Sequence, residues 1–291
     1  MFSGVYTALM TPFKEGKVDF GTLGKLIENQ YKAGVNGIVP CGTTGESPNL
    51  SHEEHEQIIE FCVKQVKGRM KILAGTGSNS TAEAIQFTQF AKKAGCDGVL
   101  IVAPYYNKPT QKGLYLHFKK IADLVNIPIV LYNIMSRTSV NIEPTTVANL
   151  CKDCKNIIGV KEASGSLSQM SALKALVPNI ELLSGDDALT LPVLSIGGIG
   201  VVSVLSNLFP FEILSLIRAF EKGNIKEAKK MHYSLLPLVN ALFMETNPIP
   251  LKTAGSLLGI CSSEIRLPMC EMEESNKLKL KKVLEDFKLL K

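Results

Sequence analysis

The chain has no tryptophan and only four histidines. That leaves little material for histidine-based metal or acid–base chemistry. Among those few, His52 and His55 in "SHEEH" stand three apart rather than the four of HExxH, so a zinc-protease reading fails. Charge of one sign is nearly absent as an excess: the formal net charge is +5 and the basic residues are scattered. No aromatic–basic interleaving offers a base-stacking platform. The one basic run, 277–291, mixes Leu, Val and Phe with Lys at helical spacing. It reads as a solvated amphipathic helix rather than a nucleic-acid arm. The N-terminus lacks a basic region and a small-residue cleavage site, so no secretory leader is expected. A nucleotide P-loop and a GxSxG elbow are missing, and "GTGSNS" from Gly75 lacks the third glycine of a dinucleotide turn.

The seven cysteines are odd in number and show no disulfide framework, which points to a reducing cytoplasm. Cys151 and Cys154 form a CxxC with no second ligand pair beside it, so it reads as ordinary rather than metal-binding or redox-active. Asp186 and Asp187 have no third ligand at hand, and no metal is expected. Residues 191–211 carry no charge, over roughly the 20 residues that span a bilayer. Pro192, Gly197, Gly198, Gly200, Asn207 and Pro210 break the run, so it is expected to be buried interior rather than a membrane span.

What the chain does have is alternation. Short apolar, β-branched runs fall at 4–10, 37–41, 71–74, 98–102, 127–131, 157–160, 180–183 and 200–204. Helix-like stretches lie between, such as 19–33, 51–66, 81–94, 111–125 and 144–151. Asp19, Ser51 with Glu54, and Ser80 with Glu83 read as starts, and Gly34, Gly68 and Gly95 as stops. Strands apolar on both faces belong to a parallel sheet covered by helices. Eight strand–helix units predict a closed (β/α)8 barrel, an α/β fold. Beyond Gly223 the pattern is helical only, over 224–236, 237–243, 250–258 and 276–289. The expected organisation is therefore a catalytic barrel at 1–223 and a C-terminal helical domain at 224–291.

Such barrels carry their chemistry at the C-terminal strand ends. Those ends hold Gly42-Thr43-Thr44-Gly45-Glu46, Pro104-Tyr105-Tyr106-Asn107, Tyr132-Asn133 with Arg137, Lys161-Glu162, and Ser184-Gly185-Asp186-Asp187. Lys161 follows "IIGV", and a lysine there needs a partner or a task. It can be a charge solvated at the barrel mouth, or an amine nucleophile. Pairing with Glu162 is disfavoured, because consecutive strand residues face opposite ways. A free lysine titrates near about 10.4, and desolvation favours the neutral amine. Such an amine attacks a ketone, and the resulting iminium serves as an electron sink. Thr43, Thr44, Tyr106 and Tyr132 supply hydroxyls for proton transfer, although a tyrosine here can equally be a core residue. Arg137 can grip a carboxylate or form a rim ion pair. The backbone at 197–200 can hold an anion or form a tight turn.

The blocks "GTTGE" at 42–46, "PYYNKP" at 104–109, "YNIMSRT" at 132–138, "IIGVKEA" at 157–163, "LLSGDD" at 182–187 and "NPIPLK" at 247–252 stand in order at these ends. With them the chain resembles the dihydrodipicolinate synthase family over essentially its whole length. That family lies in the superfamily of pyruvate-dependent Schiff-base aldolases that includes N-acetylneuraminate lyase. The resemblance implies condensation of pyruvate with L-aspartate 4-semialdehyde in diaminopimelate and lysine synthesis, with no cofactor.

The resemblance also implies roles. Lys161 forms the Schiff base, and Tyr132 gives and takes protons. Thr43 starts a relay ending on Tyr106 of a neighbouring subunit. Thr44 and the Val202 backbone hold pyruvate, Arg137 holds the semialdehyde carboxylate, and the Gly185 carbonyl lines the same pocket. Ser47, Leu50, His52, His55, Asn79, Glu83 and Tyr105 match a lysine effector site at a dimer interface. The implied assembly is a homotetramer built as a dimer of dimers. Met135 departs from the family, whose members commonly carry proline there, which bears on how Arg137 is aimed. A sibling aldolase for a sugar-derived 2-oxo acid, and a non-catalytic binding barrel, are the competing readings.

Overall fold

The structure, a computed structural model, describes residues 1–290. Lys291, the last residue of the basic stretch and of the expected helical domain, lies outside the described residues. The strands are β1 (Gly4–Ala8), β2 (Phe13–Lys14), β3 (Lys17–Val18), β4 (Gly37–Val39), β5 (Lys71–Gly75), β6 (Gly98–Val102), β7 (Ile129–Asn133), β8 (Ile157–Glu162), β9 (Glu181–Ser184) and β10 (Gly200–Ser203). Eight of them close a parallel barrel in the order β1-β10-β9-β8-β7-β6-β5-β4, with β4 returning to β1. This is the (β/α)8 architecture that the alternation predicts. Helices wrap it: α1 (Phe20–Ala33), α2 (His52–Val66), α3 (Thr81–Ala94), α4 (Gln111–Leu124), α5 (Met135–Thr138), α6 (Pro144–Asp153), α7 (Leu167–Leu176), α8 (Thr190–Ser195) and α9 (Pro210–Glu221). Three more follow, α10 (Ile225–Leu242), α11 (Ile249–Leu257) and α12 (Glu274–Asp286).

The punctuation read from the sequence works as chemistry. Gly34 and Gly95 end α1 and α3 with φ of 81° and 97°, a left-handed turn that glycine enters without a Cβ clash. Ser51 and Glu54 form a reciprocal capping box on α2. Ser80 caps α3, but the Glu83 carboxylate does not return to it; that carboxylate turns to His52 and Ser78 instead. The uncharged 191–211 stretch becomes α8, a turn, β10 and the start of α9. Among the described residues no helix is long and apolar enough to cross a membrane.

Three readings change. β7 and β8 run two residues further than expected, so Tyr132, Asn133, Lys161 and Glu162 lie inside the sheet rather than beyond it. Pro237 does not end a helix; α10 is continuous through it. A proline inside a helix costs about 3 kcal/mol. Leu235, Leu238, Val239 and Leu242 are buried on both sides of it and offset that cost. The hairpin β2–β3 had no apolar alternation to reveal it; Glu15 and Gly16, at φ 53° and 77°, make its turn.

One ion pair ties the C-terminal helices to the barrel. Lys252 on α11 donates to Glu46, in the loop after β4, and to the Glu264 carbonyl at 2.9 Å. Both side chains are 1% exposed. Phe13 lies under the Lys252 ammonium at 4.1 Å and the Arg266 guanidinium at 4.2 Å. Burial pushes the Lys252 ammonium below its usual range, while Glu46 pulls the other way. Removing one member of such a pair leaves the other charge buried alone. Lys252→Met should therefore lower unfolding free energy by about 3–5 kcal/mol, measured by denaturant titration. The double variant Lys252→Met/Glu46→Gln should be milder. A loss below about 1 kcal/mol, the scale of an exposed pair, would contradict this role for the clamp.

Candidate active site

Six barrel strands, and the residues that directly follow β9 and β10, meet at one cavity at the C-terminal end of the barrel. Ala8, Val39, Gly75, Leu100 with Val102, Tyr132, Lys161, Gly185 and Val204 line it, together with Gly42, Thr43 and Thr44 from the loop after β4. Arg137, Phe243 and Asn247 stand at its rim and wall. The space, with its open mouth, is about 670 Å³, within the range of small-molecule sites. A second cleft of about 540 Å³ lies among the C-terminal residues, around Thr253, Cys270 and Lys277, and includes none of these strand ends.

Lys161 is 6% exposed and its ammonium nitrogen lies 4.1 Å from the centre of the Tyr132 ring. The two residues are register partners on β8 and β7. Glu162 faces the opposite way, as strand geometry requires. Its carboxylate accepts from Asn133 Nδ2 at 3.1 and 3.2 Å, from Gln169 Nε2 at 2.9 Å and from the Ser164 N–H at 2.7 Å. Among the described residues, Lys161 has no carboxylate within salt-bridge reach. Gly185 has no room for a side chain: a Cβ there would stand 2.6 Å from Ala163 Cβ, and 3.1 Å from Lys161 Cε, which passes beside it.

Thr44 is buried, and its Oγ1 accepts from Asn247 Nδ2 at 2.9 Å. The Asn247 carbonyl accepts from Arg137 Nη2 at 3.1 Å. Asn247 thus touches two expected site residues, yet it was only a letter in "NPIPLK"; so was Lys252, whose charge inside an apolar helix was a usable signal. Arg137 sits on the one-turn helix α5, which starts at Met135 and holds the guanidinium at the cavity. Val202 is buried in β10 and does not line the cavity; Val204, two residues on, does. Tyr106 does not line its own chain's cavity either. It is 89% exposed, with a strained φ of 72°.

Of the remaining expected residues, His52, His55 and Glu83 lie together in a second cluster, and the others are not joined to them by any hydrogen bond among the described residues. His52 Nε2 lies 2.6 Å from Glu83, and the rings of His52 and His55 both pack on Phe87. The Asn79 carbonyl accepts from Asn107, in the loop of Tyr105 and Tyr106. Leu50 and Tyr105 are half-buried, and Ser47 reaches the cavity wall. The acidic pair has other work. Asp187 accepts from Ser203 Oγ and from the Val204 and Leu205 N–H groups, and Asp186 accepts from the Ala188 N–H. Cys151 and Cys154 are free thiols.

Comparison with known proteins gives one consistent result. The chain matches the family described as "Dihydrodipicolinate synthetase family" over residues 1–287. It is 75% identical over 291 residues, all of both chains, to a 4-hydroxy-tetrahydrodipicolinate synthase of Endomicrobium trichonymphae. The crystal structure of dihydrodipicolinate synthase from Aquifex aeolicus superposes with a TM-score of 0.98 at 50% identity, covering 99% of each chain. That of the enzyme from Cyanidioschyzon merolae with lysine bound does so at 0.96 and 42%, again over 99% of each.

His55 gives the cluster a pH signature. Its Nε2 bonds the Gly75 carbonyl at 2.9 Å, so that nitrogen carries the proton, and its buried Nδ1 has no partner among the described residues. Burial pushes its pKa down from 6.5 to about 4, against the opposing effect of the Gly75 bond. The unfolded chain binds this proton near 6.5 and the folded chain only near 4. Stability from this site is thus complete above pH 6.5 and is lost as pH falls from 6.5 to 4, by on the order of 3 kcal/mol. His117 is pushed to about 4 by burial as well and adds to the same slope. His55→Leu should flatten, without abolishing, the fall in unfolding free energy across that window; an unchanged slope would contradict the assignment.

Proposed function

The chain belongs to the dihydrodipicolinate synthetase family, and from that premise we propose that it condenses pyruvate with L-aspartate 4-semialdehyde to give 4-hydroxy-tetrahydrodipicolinate, in diaminopimelate and lysine biosynthesis. The observation that carries the proposal is Lys161: a buried amine without an acidic partner among the described residues, over a tyrosine, lining the cavity at the C-terminal end of the barrel.

Lys161 Nζ adds to the pyruvate ketone and water leaves, giving an iminium. The iminium withdraws electrons, a methyl proton departs, and the enamine carbon attacks the semialdehyde's carbonyl carbon. The semialdehyde amine then displaces Lys161 from the imine carbon and closes the ring. Tyr132 gives and takes the protons, and Thr43 passes them to Tyr106 of the partner subunit. Thr44 holds the pyruvate carboxylate together with the backbone near Val202, although Val204 rather than Val202 is the residue at the wall. Arg137 holds the carboxylate of the semialdehyde, and the Gly185 carbonyl faces the same substrate. The barrel, 1–223, carries this chemistry, and the helical part, 224–291, holds its rim through Asn247 and Lys252. The exposure of Tyr106 supports a homo-oligomer, a homotetramer made as a dimer of dimers, in which that phenol completes a neighbour's site.

A second reading concerns regulation. Ser47, Leu50, His52, His55, Asn79, Glu83 and Tyr105 would take L-lysine as an effector. The lysine-bound relative and the His52–Glu83 pair support this. Millimolar lysine should inhibit turnover, and full activity in its presence would remove the idea.

The substrate is tested by steady-state turnover with two partners. Pyruvate with aspartate semialdehyde should be consumed, and N-acetylneuraminate should not be cleaved; the reverse result would favour the sibling-aldolase reading. Arg137→Ala should raise KM for the semialdehyde roughly 10- to 100-fold, the scale of a lost bond to a charged group, with the pyruvate KM little changed. Tyr132→Phe should lower kcat about 100- to 10,000-fold.

A further inference from the structure

Asn247 spends its polar groups unevenly. The residue is 4% exposed, its backbone carbonyl serves Arg137, and its amide Nδ2 donates to Thr44 Oγ1. Its Oδ1 is buried and has no partner among the described residues. A threonine hydroxyl carries one proton and two lone pairs. The Asn247 N–H occupies a lone pair, and among the described residues no acceptor takes the Thr44 proton. Thr44 lines the cavity, so that proton is left for whatever binds there.

We propose that Asn247 is a positioning residue that fixes the polarity of the Thr44 hydroxyl, keeping its proton directed to the carboxylate of the 2-oxo acid. The inference rests on the reading above in which Thr44 holds the pyruvate carboxylate. It gives Asn247 a division of labour. The side chain acts on the 2-oxo acid through Thr44, and the main chain acts on the second substrate through Arg137. Changing the side chain leaves the carbonyl that Arg137 uses, so the two substrates separate kinetically. The isosteric carboxylate is the informative replacement. Asp at this position can only accept, so it takes the Thr44 proton and turns oxygen lone pairs and a like charge toward the substrate.

The test measures KM for both substrates and the pyruvate concentration that half-saturates borohydride trapping on Lys161. Asn247→Ala should raise both pyruvate measures about 10-fold and leave the semialdehyde KM within about twofold. Asn247→Asp, though closer in shape, should be worse than Asn247→Ala. Thr44→Val should raise the pyruvate measures too, and Asn247→Ala should add little in that background, since the amide then has no hydroxyl to direct. A merely structural role would instead raise both KM values and lower Tm, with Asp milder than Ala. Wild-type affinity in Asn247→Asp, or additive effects of Asn247→Ala and Thr44→Val, would overturn the inference while trapping in the wild type still upheld the Schiff-base reading. Absence of trapping in the wild type would sink that reading itself. Unchanged pyruvate dependence in Thr44→Val would remove Thr44's role, and the inference with it.

Discussion

The register of β8 against β7 is the constraint on which the site depends. Ile129 pairs with Ile157, but Val130 pairs with Gly159, so the ladder passes over Ile158. That extra residue brings Lys161, rather than Val160, opposite Tyr132. Bulges of this kind re-aim side chains beside active sites. Once the register is set, the pleat puts Lys161 and Tyr132 into the cavity and their successors, Glu162 and Asn133, into the helix layer. A slip of one residue would exchange the two sets. The outward pair guards against it. Asn133, Glu162, Asn141 and Gln169 are joined by hydrogen bonds of 2.8–3.2 Å, and the Ser164 N–H adds one more. Side chains that never meet substrate thus hold the amine over the phenol.

The other half of the site is held from outside the barrel. Thr43 and Thr44 sit on the loop after β4, in which Glu46 has a left-handed φ of 55° and is clamped by Lys252. The segment that leads into α11 carries Asn247 to Thr44 and Arg137. Lys252 lies four residues after the cis Asn247–Pro248 bond's proline, on the helix that this segment begins, so clamp and contact share one short stretch of chain. The C-terminal helices are therefore part of how the cavity is shaped, and not an appendage to a barrel that is complete without them. Tyr106 extends the same logic, since its own chain leaves it in solvent.

Much of this was legible in the sequence for physical reasons. Apolar strands between capped helices announce a parallel barrel, and a lysine after "IIGV" is conspicuous because such a position is costly to leave without a role. Strand ends were less legible. Lys161 and Glu162 are polar, and polarity marks a strand's end unless a network on the far face satisfies it. The bulge at Ile158 left no trace, because an apolar residue looks the same in or out of register. The contacts of Asn247 with Thr44 and of Lys252 with Glu46 could not be read, since each joins positions more than 200 residues apart. Pro237 misled because its cost is local and the packing that offsets it is not.

The most direct measurement of the central claim is the site of a trapped adduct. The protein is incubated with pyruvate and borohydride, and the digest is examined by mass spectrometry. One reduced pyruvyl group should appear per chain, on Lys161, and none should form in Lys161→Ala. No adduct on the wild-type protein, or an adduct on another lysine with Lys161 untouched, would contradict the account.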